Sequence, residues 1–444
     1  MPTDHACRST DRLERLVGRV VTLCRQPRHG LWAPGEPRMG CLSVQGSAAE
    51  PDFADASFRA WGYHADGDAL RSSALGEAAE RYSQMDVDDR GTRYASVAEL
   101  EREGVPHISP ARLLSLPPGT TRQGEFAEVP AAGRDIRWLE GVDLRTGGMV
   151  LLPSIYCVFY KDCPESPLRD EGAWYWASSN GTATGTGPAE ACLSGLFELL
   201  ERDAFMLMWY HRLRFPYLVP DPSSRLAYRI GAALAGSRVE YRLIDLTEVH
   251  GVPTVVAAVR GSGVGGVLHG IGGGTAPTTA EAVWRAIKEA FSFYSMQRRG
   301  LFSEHRRTVR SDEVRNFPDH ALYYMDAEHH GELAFLFEDR PARPVEDGPL
   351  GESGRLARRV LRGEVERLTA RGIDLYAVDL TPPEMAQAGL FTYKVVSPQL
   401  IPIDVDHGSR HLGIERLLAE PTRRGWRPDR PGLADLNHAP HPFT

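Results

Sequence analysis

Residues 188–211 of this chain read PAEACLSGLFELLERDAFMLMWYH, and the inner part of this stretch has a near copy far upstream. Residues 194–202 (SGLFELLER) and residues 73–81 (SALGEAAER) both obey the pattern S-x-L-x-E-x-x-E-R. Both stretches lack Pro and are rich in Leu, Ala and Glu, so the sequence predicts two helices. Because residues three apart share one face of a helix, each helix should present a pair of carboxylates on one side.

The two acidic pairs are Glu77 with Glu80 and Glu198 with Glu201. If the two helices pack face to face, four carboxylates meet in one place. That much negative charge is costly unless a cation neutralises it, and oxygen-only ligands favour Mg²⁺ over zinc. The ordinary alternative for each E-x-x-E-R is a solvated, ion-paired helix face. The matched Ser, Leu and Arg of the repeat, and the apolar residues around the second pair, favour a magnesium site.

Composition sets limits on the class of protein. At 444 residues the chain can form one large domain or several ordinary ones around a sizeable core. Its hydrophobic content of 42% and charged content of 25% are ordinary for a globular protein, and the net charge of −8 argues against a general nucleic-acid binder. Of the 51 Lys and Arg residues only Lys161, Lys288 and Lys394 are lysines, and none lies in a Walker-type phosphate loop.

The cysteines and the N-terminus indicate the compartment. The six cysteines include no C-x-x-C pair, and Cys157 and Cys163 are spaced poorly for a zinc knuckle. Residues 1–26 are polar and charged, unlike a signal peptide, and no apolar run approaches ~18 residues. The sequence therefore predicts a cytoplasmic protein with reduced thiols and no contact with a membrane.

Hydrophobic periodicity predicts the other elements. Residues 279–296 form a third polar helix after a strand that ends in Gly272-Gly-Gly274, and Arg285 and Glu289 share one face of it. The small, polar residues 178–187 likewise open the second acidic helix; such an opening suits an anion, although it is more often a simple N-cap loop. The remaining expectations are a helix within 11–24, loops at 46–68 and 178–187, strands at 39–45, 138–143, 149–158, 239–247, 254–260, 267–274, 374–379 and 391–396, and a helix at 354–371.

Two further regions carry no strong local signal. Residues 302–347 are expected to be irregular and exposed, and the Asp319-His320 pair within them is more often a loop hydrogen bond than a catalytic dyad. Residues 420–444 are rich in Arg and Pro, which is typical of an unstructured end.

Taken together, these patterns resemble the YcaO family of ATP-dependent enzymes that activate peptide backbone amides. The resemblance runs from about residue 39 to the C-terminus. It rests on the 73–81 helix, on Ser179-Asn-Gly-Thr-Ala183 leading to the second acidic helix, on the Arg285-x-x-x-Glu289 helix, and on the tail. It implies an α+β, YcaO-type fold, with mixed and antiparallel sheets packed with helices around an ATP/Mg²⁺ site. Residues 1–38 would be an N-terminal helix and linker, and residues 39–444 the YcaO domain with its Pro-rich tail at 428–444.

The resemblance also implies residue roles by position. Metal binding falls to five glutamates: Glu77, Glu80, Glu198, Glu201 and Glu289. Arg285 would be the cation that faces the phosphates. Nucleotide binding would involve the same acids and Arg285 together with Ser73, Arg81, Ser179 and Ser194.

The tail narrows the expected chemistry. YcaO cyclodehydratases that act on ribosomal peptides typically end in a P-x-P-x-P run that reaches toward the active site, and this chain ends Pro440-His-Pro442-Phe-Thr444. The resemblance implies that Pro440, Pro442 and Thr444 take part in catalysis, as in the D component of an azole-forming cyclodehydratase. In that reaction a Cys, Ser or Thr side chain attacks the preceding amide carbonyl and ATP phosphorylates the oxygen. Loss of phosphate then leaves a thiazoline or oxazoline.

The chain departs from the family pattern at three places. Family members often carry G-K-G ahead of the first acidic helix, where this chain has Gly62-Tyr-His64. A Gln commonly stands at the position of Ser194, and the final residue here is Thr444 instead of Pro. Two alternatives therefore stay open: a YcaO enzyme that forms thioamides or amidines, and a degenerate YcaO subunit that binds a peptide or partner without turning over ATP. A prenyl-transfer type of Mg²⁺-diphosphate site is disfavoured because no D-D-x-x-D cluster is present.

Expected partners follow from the same resemblance. Fused cyclodehydratases carry a large leader-peptide-binding domain ahead of the YcaO part, and only roughly 40 residues precede it here, too few for such a domain. The sequence therefore predicts a separate ThiF-like partner that captures the leader of a precursor peptide. A flavin-dependent azoline oxidase and homodimerisation are further expectations from the family.

Overall fold

The computed structural model describes residues 11–17, 24, 27–30, 32–47, 57–85, 92–115, 129–159, 174–175, 177–263, 266–300, 308–345 and 356–443. Its strands are β1 (Arg28–Gly30), β2 (Gly40–Ser47), β3 (Ser57–His64), β4 (Thr92–Ser96), β5 (Asp135–Asp143), β6 (Met149–Pro153), β7 (Thr182–Gly185), β8 (Tyr217–Pro220), β9 (Glu240–Asp245), β10 (Thr254–Gly263), β11 (Gly266–Thr275), β12 (Ala342–Val345), β13 (Tyr376–Asp379) and β14 (Phe391–Val396). Its helices are α1 (Gly67–Met85), α2 (Val97–Glu103), α3 (Pro110–Leu114), α4 (Ser154–Cys157), α5 (Pro188–His211), α6 (Arg225–Leu234), α7 (Thr247–His250), α8 (Thr279–Arg298), α9 (Phe317–Tyr323), α10 (Ala357–Thr369), α11 (Pro383–Ala388) and α12 (Glu415–Arg423).

The strands form three sheets. A small antiparallel sheet has the order β1-β2-β3, and a second sheet has the order β11-β10-β9-β8-β12, in which only the β8–β12 pair is parallel. The third sheet, β4-β5-β13-β14-β7 with β6 beside β5, is antiparallel throughout. These mixed and antiparallel sheets packed with helices confirm the predicted fold class.

Helix α5, the stretch quoted first, is the centre of the molecule. It packs against β7 and β14 of one sheet and against β10 and β11 of another. Its second half, from Ala204 to Tyr210, is buried on every side, as expected for a helix that is apolar all round. Helix α1 covers β2 and β3, and helix α8 covers β10 and β11. The three polar helices therefore lie on sheets that meet around α5.

Glycines allow the acidic helices to approach their neighbours closely. A Cβ on Gly195 of α5 would overlap the carbonyl of Gly181, which itself has a φ of +78°. Beside α1 the glycine is on the strand instead: a Cβ on Gly62 would meet the backbone of Leu70 and Ala74. Each acidic helix thus packs directly against the backbone of a neighbouring segment, and this contact fixes the position of its glutamates relative to that segment.

Two predicted loops were wrong in part. Residues 57–64, placed in a loop, form β3, whose Phe58 and Ala60 are buried; Gly62 interrupts the apolar alternation that would have revealed the strand. Within residues 178–187, Thr182–Gly185 form β7 and pair with β14. Their side chains are too small to give a strand signal, and the strand exists because β14 supplies its partner.

The expectation that residues 302–347 are irregular and exposed was also wrong for their described part. Residues 317–323 form α9, where Asp319 and His320 are buried. The ring of His320 stacks on that of His441 at 3.9 Å, and its Nδ1 lies 2.7 Å from the His441 carbonyl oxygen. The Pro-rich tail is therefore packed, and Phe443 is 1% exposed.

The ends of some elements differ from the predictions. The first helical segment ends at Leu16, because Val17 is already extended. The strand predicted over 149–158 stops at Pro153, and residues 154–157 form the short helix α4. No helix in the described part of the chain is both long enough and apolar enough to cross a membrane.

Candidate functional site

A cavity of about 680 Å³ opens where α1, α5 and α8 converge. Its lining includes both charged or polar residues and aromatic or apolar residues. The polar lining comes from Arg59, Ser73, Glu77, Glu80, Arg81, Gln84, Ser179, Asn180, Glu198, Arg202, Arg285, Lys288, Glu289 and Ser292. The apolar lining includes Trp61, Tyr63, Phe293, Met296, Phe317, Pro318, Ile403 and Phe443.

Four glutamates in the cavity are oriented in the same way. One oxygen of each carboxylate accepts a hydrogen bond from a backbone N–H of a neighbouring segment, so the side chain is held in place while other lone pairs stay available. The pairs are Glu77 with Trp61 (3.1 Å), Glu80 with Thr184 (3.1 Å), Glu198 with Gly181 (3.0 Å) and Glu289 with Gly273 (2.5 Å).

Arg202 connects the acids of α5 and α8. Its guanidinium nitrogens lie 3.7 Å from Glu198, 3.4 Å from Glu201 and 3.5 Å from Glu289. Burial alone would lower the Arg202 pKa, but the three carboxylates, Glu289 foremost, hold it above its ordinary value. The ring of Phe443 lies 4.6 Å from the Arg202 guanidinium carbon. Arg202 is thus a buried charge at the centre of the acidic cluster.

Burial disfavours the charged form of several acids in this cluster. Burial raises the pKa of Glu80 to about 8, against the opposing hydrogen bond from the Thr184 N–H. Burial likewise raises the pKa of Glu201 to about 8 in spite of the Arg202 charge, and it raises the pKa of Glu198. Carboxylates in this state favour a proton or a metal ion.

The donor set fits magnesium shared with a phosphate ligand better than a protein-only metal cage. In the described residues, no group of three acidic, His or Cys side chains is arranged to hold an ion by itself. Mg²⁺ usually keeps several waters and is held by one or two carboxylates together with substrate phosphates. The separations from Arg202 exceed 3.3 Å, and its buried Nε and Nη1 have no hydrogen-bond partner among the described residues. The cluster therefore contains donors without a hydrogen-bond partner among the described residues, on an arginine that lines the cavity.

The other cations of the cavity differ in whether they form ion pairs and hydrogen bonds with neighbouring groups. Arg81 binds Glu77 at 2.8 Å within α1. Arg285, predicted to face the phosphates, lies in the cavity wall, but its Nη2 is 2.6 Å from Glu281 and its Nη1 is 3.3 Å from the Thr275 carbonyl oxygen. Lys288, one turn further along α8, also lines the cavity, and burial lowers its pKa to about 8.

The structure brings most of the predicted residues to this cavity. Those in its wall are Ser73, Glu77, Glu80, Arg81, Ser179, Glu198, Arg285 and Glu289. Glu201 lies behind the wall, between Arg202 and the backbone of Gly273. Ser194 is outside the lining among the described residues.

The tail reaches the cavity through a residue that was not predicted. Phe443 lines the cavity, whereas Pro440 and Pro442 are outside the described lining. The Tyr324 hydroxyl donates a 2.5 Å hydrogen bond to the Pro440 carbonyl, which fixes this part of the tail. Thr444 lies outside the described residues.

Sequence reasoning missed several further lining residues. Arg202 was visible as the last residue of the repeated pattern, and Asn180 as part of the quoted 179–183 segment. Gln84 follows Glu80 by one helical turn and donates a 3.0 Å hydrogen bond to Thr182. Arg59 and Trp61 gave no signal, because β3 itself was not recognised.

Comparison with known proteins identifies the fold. The sequence model described as YcaO cyclodehydratase, ATP- and Mg²⁺-binding, matches residues 61–401. An uncharacterized protein of Methanothermobacter thermautotrophicus is 27% identical over 345 residues, which is 76% of this chain and 80% of that protein.

Solved structures of similar proteins share this fold. A heterocyclase in complex with substrate and cofactor superposes with a TM-score of 0.76 at 22% identity, covering 99% of this chain and 57% of that one. YcaO from Methanopyrus kandleri, bound with AMPPCP and Mg²⁺, superposes with a TM-score of 0.59 at 19% identity, covering 90% of each chain. At these identities the structures establish a shared fold, and the match over residues 61–401 establishes the family. This chain belongs to the YcaO family.

Proposed function

We propose that this protein is an ATP-dependent cyclodehydratase that converts Cys, Ser or Thr residues of a ribosomally made precursor peptide into thiazolines or oxazolines. The observation that carries the proposal is the set of four glutamates, each held by a backbone N–H, around one cavity that also contains Arg202 and Lys288. A non-catalytic scaffold has no physical reason to keep buried acids with raised pKa values in one place.

The proposed ligands of the cavity are ATP and Mg²⁺. Glu77, Glu80, Glu198 and Glu289 would hold Mg²⁺ through carboxylate oxygens, with Glu201 supporting from behind through Arg202. Mg²⁺ would neutralise charge on the phosphates during transfer. Arg202 would hold the acids of α5 and α8 in register, and the aromatic residues of the lining would exclude water from the reacting groups.

The chemistry needs a phosphoryl donor because an amide oxygen is a poor leaving group. The side-chain O–H or S–H adds to the preceding carbonyl carbon, and the proton leaves to solvent or base. The oxygen then takes the γ-phosphoryl group and ADP departs. Loss of phosphate, with the amide N–H proton, forms the C=N bond of the ring. Positioned cations stabilise the charge that develops on the transferring group.

The proposed partners follow from the same activity. The substrate is a precursor peptide, and a separate ThiF-like protein would bind its leader. The similar heterocyclase structure contains substrate, and this chain corresponds to 57% of its length. A flavin-dependent oxidase acting on the azolines, a homodimeric state and a cytoplasmic location complete the proposal.

The test is turnover with a candidate precursor peptide, its leader-binding partner and MgATP. Mass spectrometry should show loss of one water per ring, and ¹⁸O placed in the reacting amide should appear in the released phosphate. The double variant Glu198→Gln/Glu201→Gln should form no ring, whereas the exposed control Glu366→Gln on α10 should match the wild type. Retention of the ¹⁸O in the peptide, or sulfur incorporation, would overturn the proposal and point to the thioamide alternative.

A further inference from the structure

Lys288 is an unusual residue in this chain. Only three lysines occur among 51 Lys and Arg residues, so a lysine in the wall of the main cavity stands out. We infer that the Lys288 ammonium binds the nucleotide phosphates. The inference rests on the proposed function and adds a specific binding residue to it.

The first support is the state of the neighbouring cations. Arg81 is bound to Glu77, and Arg202 lies among three carboxylates. Arg285 is bound to Glu281 and to the Thr275 carbonyl, so its guanidinium is already engaged within its own helix and the preceding strand. In the part of the chain that the structure describes, Lys288 makes neither an ion pair nor a hydrogen bond.

Arg59 is the other cavity cation without a partner among the described residues, but it is exposed. Lys288 lies on α8 and is half-buried. A charge that is partly removed from water has more to gain from an anionic ligand than a charge that water already solvates.

The second support is the sign of the charge around Lys288. Its electrostatic neighbours are Arg285, Arg229 and Glu289. The Glu289 carboxylate is already engaged by the Gly273 N–H and by Arg202. Arg229, whose guanidinium lies 4.0 Å from the centre of the Trp284 ring, makes no ion pair within 4.0 Å among the described residues, although the Asp66 carboxylate acts on it electrostatically. Lys288 therefore has two cations and one engaged carboxylate as its electrostatic neighbours, and we call this group the positive corner of the cavity.

A cavity lined by both carboxylates and this positive corner suits a metal–polyphosphate ligand. The carboxylates can bind the metal, and the positive corner can bind the phosphate oxygens. An ammonium is a compact charge with three donors and fits among several oxygens, whereas a guanidinium is a planar fork. At this position a lysine therefore suits binding to several phosphate oxygens better than an arginine would, although arginine is much the commoner cation in this chain.

The experiment is calorimetric titration of the full-length protein, with its partner present if the partner is required. MgATP and Mg²⁺-tripolyphosphate are the probes, and the variants are Lys288→Met and Lys288→Arg. Lys288→Met should weaken both ligands about tenfold or more, because it removes a charge-assisted contact. Lys288→Arg should recover part of the loss. Arg358→Met, an exposed change on α10, controls for net charge and should bind as the wild type does.

A second measurement separates a binding role from a structural one. Without ligand, Lys288→Met should unfold at the same or a higher temperature than the wild type, because it removes a charge from a positive corner. Lower thermal stability combined with unchanged affinity would overturn the inference, as would equal affinity of Lys288→Met and the wild type. If the wild type binds MgATP and the variant binds it equally well, only the role of Lys288 is wrong. If the wild type binds no nucleotide with its partner present, the proposed function fails as well.

Discussion

The two copies of S-x-L-x-E-x-x-E-R have the same residues in different surroundings. In α1 the arginine, Arg81, is 42% exposed at its side chain, and its one ion pair among the described residues is with the glutamate one turn before it. In α5 the corresponding Arg202 is 13% exposed and lies among three carboxylates under the ring of Phe443. The repeat thus determines which groups reach the cavity, and the packing of each helix decides how strongly they are coupled.

The glycines of the two copies show how this difference arises. Copy one has Ala74 and Gly76 where copy two has Gly195 and Phe197. Gly195 lets α5 sit on the Gly181 carbonyl, and Phe197 buries a large side chain, so α5 lies deep between two sheets. Gly76 has nothing near it. The same sequence pattern therefore lies on a partly exposed helix in α1 and on a deeply buried helix in α5.

The largest expected difference between the copies concerns their arginines. Arg202→Met leaves buried carboxylates without their cation and should reduce the free energy of unfolding by about 3–5 kcal/mol. Arg81→Met removes a partly exposed ion pair and should cost less than about 1 kcal/mol. Urea denaturation of both variants measures the difference. Equal losses would show that the two arginines are equivalent and that α5 is not the buried copy.

The glycines should respond in opposite directions. Gly195→Ala should destabilise the protein by about 1–3 kcal/mol, because the new Cβ overlaps the Gly181 carbonyl. Gly76→Ala should stabilise it by up to about 1 kcal/mol, because alanine is the better helix former and meets open space. Thermal and urea unfolding test both. A stabilising Gly195→Ala would contradict the close approach of α5.

One acid in each copy should make the ligand-free protein less stable at high pH. The pKa values of Glu80 and Glu201 are raised to about 8, so the folded state holds protons that the unfolded state releases near pH 4.5. Their contribution to stability is complete below pH 4.5 and is lost as pH rises toward 8. The stability of Glu80→Gln and of Glu201→Gln relative to wild type should therefore increase over this range. Unfolding curves from pH 5 to 8.5 measure it, and a constant difference would contradict ionisation of these acids.

The smallest expected change in stability concerns Phe443, whose ring lies over the Arg202 guanidinium. Phe443→Leu keeps an apolar side chain but removes the aromatic face, and should cost about 0.5–2 kcal/mol from the lost cation–π contact. In the background of Arg202→Met the same change should cost less, because the cation is absent. A double-mutant cycle measures this coupling. Zero coupling would show that Phe443 packs on Phe205 alone.

Much of this site could be predicted because the chemistry is repeated in sequence. The acids of α1 and α5 were found from the repeated pattern, and those of α5 and α8 follow glycine-containing segments that are visible without coordinates. The strands β10, β11 and β14 were predicted at 254–260, 267–274 and 391–396. The YcaO fold followed from the order of these pieces and was confirmed.

The rest depended on contacts between distant segments. An arginine after E-x-x-E resembles a surface ion pair, so the central position of Arg202 could not be read from α5 alone. Lys288 was one of three lysines, but the sequence does not show that Arg285 is bound to Glu281 and to the Thr275 carbonyl oxygen. Phe443 belongs to a Pro-rich end that normally stays unfolded, and α9 and Arg202 are what hold it.

The most direct test is calorimetric titration of MgATP into the wild type, Glu77→Gln/Glu80→Gln and Glu198→Gln/Glu201→Gln, each with the partner protein present. If both copies form one Mg²⁺–nucleotide site, the wild type binds and each double variant loses most of its affinity, the α5 variant more than the α1 variant. Binding that survives in either double variant would contradict a shared site. Absence of binding by the wild type would contradict a nucleotide site altogether.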